Sequence, residues 1–192
     1  MEPLSHLRRM IASLDETLVD SLCARARLRL NGPLYAVPGE PDPGLQILAG
    51  RFADSPTLAG RLHLLRPPYL RLLLTTLCEP GSGEERSACL AADAACLDAL
   101  ARRLALSVHV ATRKREAIPE ALRAALRTGD PVRVEDAITN PAVEAEVLAR
   151  VLARARETAP RVETPGQIAA LYAEWIIPLS RKIQVHGLLA AP

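Results

Sequence analysis

The chain has 192 residues; Leu and Ala supply 32 each, aromatics 3%, and 22 Arg stand against only two Lys, Lys114 and Lys182. At 49% apolar, with a net charge of +2 and both signs interspersed, it is too hydrophobic for a disordered chain and lacks the basic field of a nucleic-acid binder. Leu, Ala, Arg and Glu favour helices over strands, so the expectation is one all-α domain over 1–192, a bundle built around two long helices with shorter helices packed on them.

A long helix is expected over 4–30. Leu4, Leu7, Ile11, Leu14, Leu18 and Leu22 recur at spacings of three and four on one face, and Ser5 is placed to cap it. The segment 31–44, rich in Pro and Gly, reads as a loop. Shorter helices are expected at 45–65 and 69–78, separated by Pro67-Pro68 and closed by the breaker Glu79-Pro-Gly-Ser-Gly83. A second long helix is expected over 84–114. Within it Ser107–Val110 resembles a strand, but four residues do not outweigh their helical neighbours. Helices at 118–127 and 141–157 flank a short turn or helix at 132–139. A last helix is expected over 166–189, bent at Pro178.

No apolar run reaches the roughly 18 residues of a membrane span. The first twenty residues mix acids and bases without an apolar block, so they read as neither a secretory nor a transit segment, and a cytoplasmic location is expected. Cys23, Cys78, Cys89 and Cys96 form no CxxC pair and read as reduced, buried small hydrophobes, with no metal site. The four histidines are scattered and receive no role. No glycine-rich phosphate loop, nucleophile elbow or Cys/His pairing is present.

Some polar residues stand out from the helical pattern. Arg103 and Lys114 are eleven residues apart. Eleven helical steps return to within about 20° of the start, so both project from one face about 16 Å apart, with Ser107, Val110 and Ala111 between them. This suits the lining of an anion pocket, and equally a solvated basic stripe. Asn140 and Glu144 share a face, as do Ser180 and Gln184. Asn140 before Pro141 also reads as a plain helix cap, with Glu144 as a first-turn acid. Arg8 borders the first apolar stripe, where a snorkelling side chain would also sit.

Four segments together resemble the all-helical chorismate mutases, most closely the eukaryotic (fungal and plant) branch in shortened form. They are LRRMIASLDETLVDSLCAR (7–25), CLDALARRLALSVHVATRK (96–114), ITNPAVEAEVLARVLARA (138–155) and LYAEWIIPLSRKIQVHGLL (171–189). The resemblance implies conversion of chorismate to prephenate in aromatic amino-acid biosynthesis, without a cofactor, by a cytoplasmic homodimer. Arg8 and Arg103 would hold the two substrate carboxylates. Lys114 and Gln184 would donate to the ether oxygen of the breaking bond. Glu144 would accept from the ring hydroxyl, and Asn140 and Ser180 would complete the polar lining. No nucleic-acid or membrane partner is implied.

The sequence departs from the eukaryotic pattern at four points. Gln184 is the bacterial choice, where fungal members carry Glu. Pro141 replaces a small residue beside Asn140. The connections between the first and second long helices are trimmed. Ala91 stands where regulated members carry a hydroxyl near their amino-acid effector site, which weighs against feedback by Trp or Tyr. Three other readings remain open from sequence: a lyase eliminating pyruvate from isochorismate, a weakly active relative that serves a partner enzyme, and a helical interaction module.

Overall fold

The structure is a computed structural model that describes residues 3–35, 65, 68–83, 86–116 and 119–190. The helix expected at 45–65 lies outside the described residues, apart from Leu65, as does most of the 31–44 loop. No strand occurs among the described residues, and Ser107–Val110 are helical. Two long helices organise the bundle: α1 (Pro3–Ala26) and α3 (Arg86–Glu116). Between them lies α2 (Leu74–Leu77), entered through a wide π turn at Tyr69–Leu73. Then follow α4 (Glu120–Thr128), α5 (Pro131–Ile138), α6 (Pro141–Thr158), α7 (Thr164–Leu171), a second π turn (Tyr172–Ile176) and α8 (Ile177–Ala190).

Helix α1 runs Pro3–Ala26, with Ser5 in its first turn. It stops at Ala26, four residues before the expected end, because the chain there changes partners. The Leu30 and Asn31 amides bond the Glu79 and Gly81 carbonyls (2.8 Å each), tying the two breaker segments side by side. Gly81 has φ +148°, a conformation open to glycine.

The main core gathers Leu18, Val19 and Leu22 of α1, Leu97, Leu100 and Leu104 of α3, Val151 of α6, and Ile168, Tyr172 and Ile176 near the C-terminal end. The C-terminal half of the α1 stripe is fully buried, whereas Leu7 and Ile11 are only half-buried. A second cluster joins Leu122, Ala125, Val134 and Ile138 to Ala111, Val185 and Leu188, so the α4–α5 hairpin sits on the ends of α3 and α8. Gly129, at φ +67°, is the left-handed C-cap of α4 that lets the hairpin turn. Asp130 and Asn140 then cap α5 and α6 through the Val132 and Val143 amides, each followed by a proline at the first helical position.

The irregularity expected at Pro178 appears just before it, as the π turn Tyr172–Ile176. Proline has no N–H for the carbonyl four residues earlier, and its ring crowds that carbonyl. The chain answers by widening, with the Ile177 amide bonding the Tyr172 carbonyl five residues back. Without this extra residue, everything after it would be rotated about 100° around the helix.

A polar knot that periodicity does not reveal lies inside the bundle. The Arg25 side chain is 0% exposed. Its Nε donates to Asp93 Oδ1 (2.6 Å), and its Nη groups donate to the Arg29 carbonyl (3.1 Å), Tyr35 Oη (3.0 Å) and Cys78 Sγ (3.3 Å). Asp93 also accepts from Tyr69 (2.7 Å) and from Tyr35. Burial opposes the Arg25 charge, but Asp93 outweighs it and holds the guanidinium protonated more firmly than usual. All four cysteines are buried and free, as expected. Burial pushes the Cys78 thiol up to about 11.

Candidate active site

A cleft of about 390 Å³ opens between the N-terminal half of α1, the C-terminal half of α3, the start of α6 and α8. All seven sequence-selected residues line it: Arg8, Arg103, Lys114, Asn140, Glu144, Ser180 and Gln184. Leu7, Ile11, Val110, Val147 and Ile177 supply apolar walls. The half-buried end of the α1 stripe is therefore one wall of the cleft.

Arg103 is 5% exposed, yet it faces the cleft. Its Nε donates to Asp15 Oδ1 at 2.6 Å, and the Tyr172 hydroxyl donates to the same oxygen at 3.2 Å. With Nε committed, the two Nη groups form the face available to a ligand. Arg150, also on the lining, stands 3.8 Å from Asp15 Oδ2, an oxygen that makes no hydrogen bond. Arg8 is exposed on the α1 side of the cleft.

Lys114 and Gln184 meet across the α3–α8 contact. The Lys114 ammonium donates to Gln184 Oε1 and to the Ile138 carbonyl, both at 3.0 Å. Two of its three protons are thereby fixed, and the third remains for the cleft. Gln184 Nε2 donates to the Ser180 carbonyl (3.3 Å) and keeps a second N–H. Close helix approach makes this possible: one turn before Lys114 on α3 and one turn after Gln184 on α8, a Cβ on Gly187 would lie 3.4 Å from the Ala111 Cβ. Desolvation lowers the Lys114 pKa, and the Glu144 charge partly offsets it. The Ser180 and Ser107 hydroxyls bond at 2.7 Å.

Asn140 accepts the Val143 amide at 3.2 Å, so the cap reading holds while its amide nitrogen remains beside the cleft. Pro141, as the first helical residue, fits that cap. Glu144 is not a solvated first-turn acid. Both its oxygens accept from Arg181 Nη1, at 2.9 and 3.1 Å. Asp15, Arg150, Tyr172 and Arg181 were missed in the sequence. The one usable signal was Asp15, an acid one residue after Leu14 of the apolar stripe.

The cleft thus offers fixed cations and neutral donors around an apolar hollow. No group of His, Cys, Asp or Glu that could hold a metal ion occurs among the described residues. No helix among them is long and apolar enough to cross a membrane.

Comparison with known proteins places this architecture. Residues 86–185 match the family model described as chorismate mutase type II. Chloroplastic chorismate mutase 1 of Petunia hybrida is 30% identical over 135 residues, which are 63% of this chain and 42% of that protein. Chorismate mutase of Schizosaccharomyces pombe is 27% identical over 173 residues, 81% of this chain and 69% of that one. The chain therefore spans less than half the length of the plant relative. The crystal structure of chorismate mutase from Candida albicans in complex with L-Trp superposes with a TM-score of 0.80 at 21% identity, covering 97% of this chain and 90% of that one. The chloroplast chorismate mutase from Zea mays gives 0.79 at 22%, covering 97% and 94%. These two establish a shared all-helical fold. With the family match extending over more than half of its residues, the chain belongs to the type II chorismate mutase family.

Proposed function

We propose that this chain is a chorismate mutase, converting chorismate to prephenate by a Claisen rearrangement in the phenylalanine and tyrosine branch of aromatic biosynthesis. The observation that carries the reading is the gathering of seven polar residues, chosen from four separate sequence segments, around one cleft. The reaction is unimolecular and needs no nucleophile, base or cofactor. It needs the flexible dianion held in its compact conformer, and a stabilised ether oxygen as the C–O bond breaks.

The chain's donors suit both tasks. Arg103, with its Nε locked on Asp15, presents its Nη groups to one carboxylate as a planar fork. Arg8 takes the other from the cleft wall. The remaining Lys114 proton and the second Gln184 N–H converge on the ether oxygen. Charge grows on that oxygen only in the transition state, so donors already in place stabilise it without reorganisation. Glu144 accepts from the ring hydroxyl, and Asn140 and Ser180 finish the polar lining. The apolar walls exclude water and strengthen every charge interaction inside. We further propose a cytoplasmic homodimer with no nucleic-acid or membrane partner.

The test is direct. Purified protein is mixed with chorismate, its ultraviolet absorbance is followed, and the product is identified by acid conversion to phenylpyruvate. The expected result is prephenate, with turnover reduced about 10²- to 10³-fold or more in Lys114→Ala. Pyruvate as the product, or full activity in Lys114→Ala, would overturn the proposal.

A further inference from the structure

Arg181 has no part in the reading above, yet it touches the cleft and joins three helices. It projects from α8. Its Nη1 spans both oxygens of Glu144 at the start of α6. Its Nε lies 3.2 Å from Glu135 Oε1 on α5 without forming a hydrogen bond, so that contact is an ion pair. The three side chains are only a quarter to a third exposed, which keeps these interactions from being fully screened.

This arrangement decides what Glu144 does. Its charge also acts on Lys114, favouring the protonated ammonium against desolvation. Yet the two Lys114 bonds go to Ile138 and Gln184, not to Glu144. A carboxylate left loose in a half-buried cleft would close on that ammonium. It would then cancel the charge the ether oxygen needs and turn away from the ring hydroxyl. Arg181 takes one lone pair from each Glu144 oxygen and leaves the others for a substrate hydroxyl. Glu135 shares the guanidinium and holds it at the α5 side.

We infer that Arg181 is a positioning residue: it fixes Glu144 as the acceptor for the substrate hydroxyl and keeps it off Lys114. This rests on the proposed reaction. The role is transition-state geometry rather than substrate capture, because Arg181 acts through Glu144 and the substrate carboxylates are assigned to Arg8 and Arg103.

The experiment compares wild type, Arg181→Met, Arg181→Lys, Glu144→Gln and the double variant Arg181→Met/Glu144→Gln, measuring kcat and KM on chorismate and the thermal midpoint of each. Arg181→Met is expected to lower kcat about 10- to 100-fold, with KM within about threefold of wild type. Arg181→Lys restores most of the loss. In the Glu144→Gln background, Arg181→Met costs less than about twofold, because no carboxylate is left to hold. A purely structural role gives the same factor in both backgrounds, and that result overturns the inference. So does wild-type kcat in Arg181→Met. Failure of the reaction itself is distinguishable: a wild type that leaves chorismate unchanged removes the reading of the cleft and this role with it, whereas an active wild type with an equally active Arg181→Met removes this role alone.

Discussion

Gln184→Glu isolates the donor opposite Lys114. In the native chain Gln184 is 8% exposed, accepts from Lys114 at 3.0 Å and points Nε2 at the Ser180 carbonyl. The substitution replaces that NH2 with an oxygen facing both a carbonyl and the developing negative charge. Only the protonated acid can donate there. A glutamate titrates ordinarily near 4.3; burial would raise this and Lys114 would lower it, so the two effects oppose each other. If they cancel, the active fraction falls tenfold per pH unit above about 4.3, reaching about 10³-fold near pH 7.3. At 1.36 kcal/mol per decade this is about 4 kcal/mol, the scale of losing one donor to a transition-state oxyanion. The assay is kcat/KM on chorismate from about pH 4.5 to 8 for both proteins. Wild type should stay flat from about pH 5 to 8, because an amide has no proton to lose. The variant should approach wild type at the acid end and fall with a slope near one. A variant as flat as wild type, or a wild type that itself falls steeply from pH 5 to 7, would refute the assignment of Gln184 as a donor.

Three further outcomes follow from the same contacts. Desolvation lowers the Lys114 pKa and Glu144 partly restores it. Wild-type activity should therefore decline on the alkaline side, beginning below the ordinary lysine range, and Glu144→Gln should move that decline to lower pH in the kcat/KM profile. Asp15→Ala frees the Arg103 guanidinium that Nε now anchors at 2.6 Å; KM should rise about tenfold or more, and an unchanged KM in steady-state kinetics would show that Arg103 is oriented by packing alone. Asp93→Ala strands a fully buried Arg25, which should cost about 3–5 kcal/mol and lower the thermal midpoint by roughly ten degrees. A drop under about two degrees in calorimetry would mean the backbone carbonyls satisfy Arg25 unaided.

The long helices were legible because periodicity is a local property. Spacings of three and four fix an apolar face wherever that face packs, and the prolines and glycines at 79–83, 129–131 and 160–166 mark real breaks. What spacing could not give was the state of a face along its length. The α1 stripe runs unbroken from Leu7 to Leu22, but only its second half enters the core, while Leu7 and Ile11 stay half-buried on the cleft wall. The bend near Pro178 was visible from chemistry, but not its form. A π turn five residues long before the proline is a tertiary compromise that keeps both α7 and the rotated face of α8 packed.

The cleft shows the same division between the polar residues that line it and the groups that hold them. Arg103 and Lys114 share one helix face, and Asn140–Glu144 and Ser180–Gln184 share single turns, so local geometry brought each pair forward. Their partners come from elsewhere in the chain. Asp15 reaches Arg103 across 88 positions, Arg181 reaches Glu144 across 37, and Asp93 reaches Arg25 across 68. No periodicity links such residues; each looks like one more charge in a chain that carries 22 arginines. The distinction is visible only in burial. Arginines on helix surfaces pair with an acid three or four residues away and stay half exposed or more, as Arg102 and Arg113 do. Arginines that fix the bundle or its cleft pair across helices and lose most of their water, as Arg25, Arg103 and Arg181 do. A desolvated guanidinium is costly to leave unpaired and strongly oriented once paired. That is why a few buried arginines can organise a cleft, while exposed ones paired along their own helix, such as Arg102 and Arg113, add little beyond hydration.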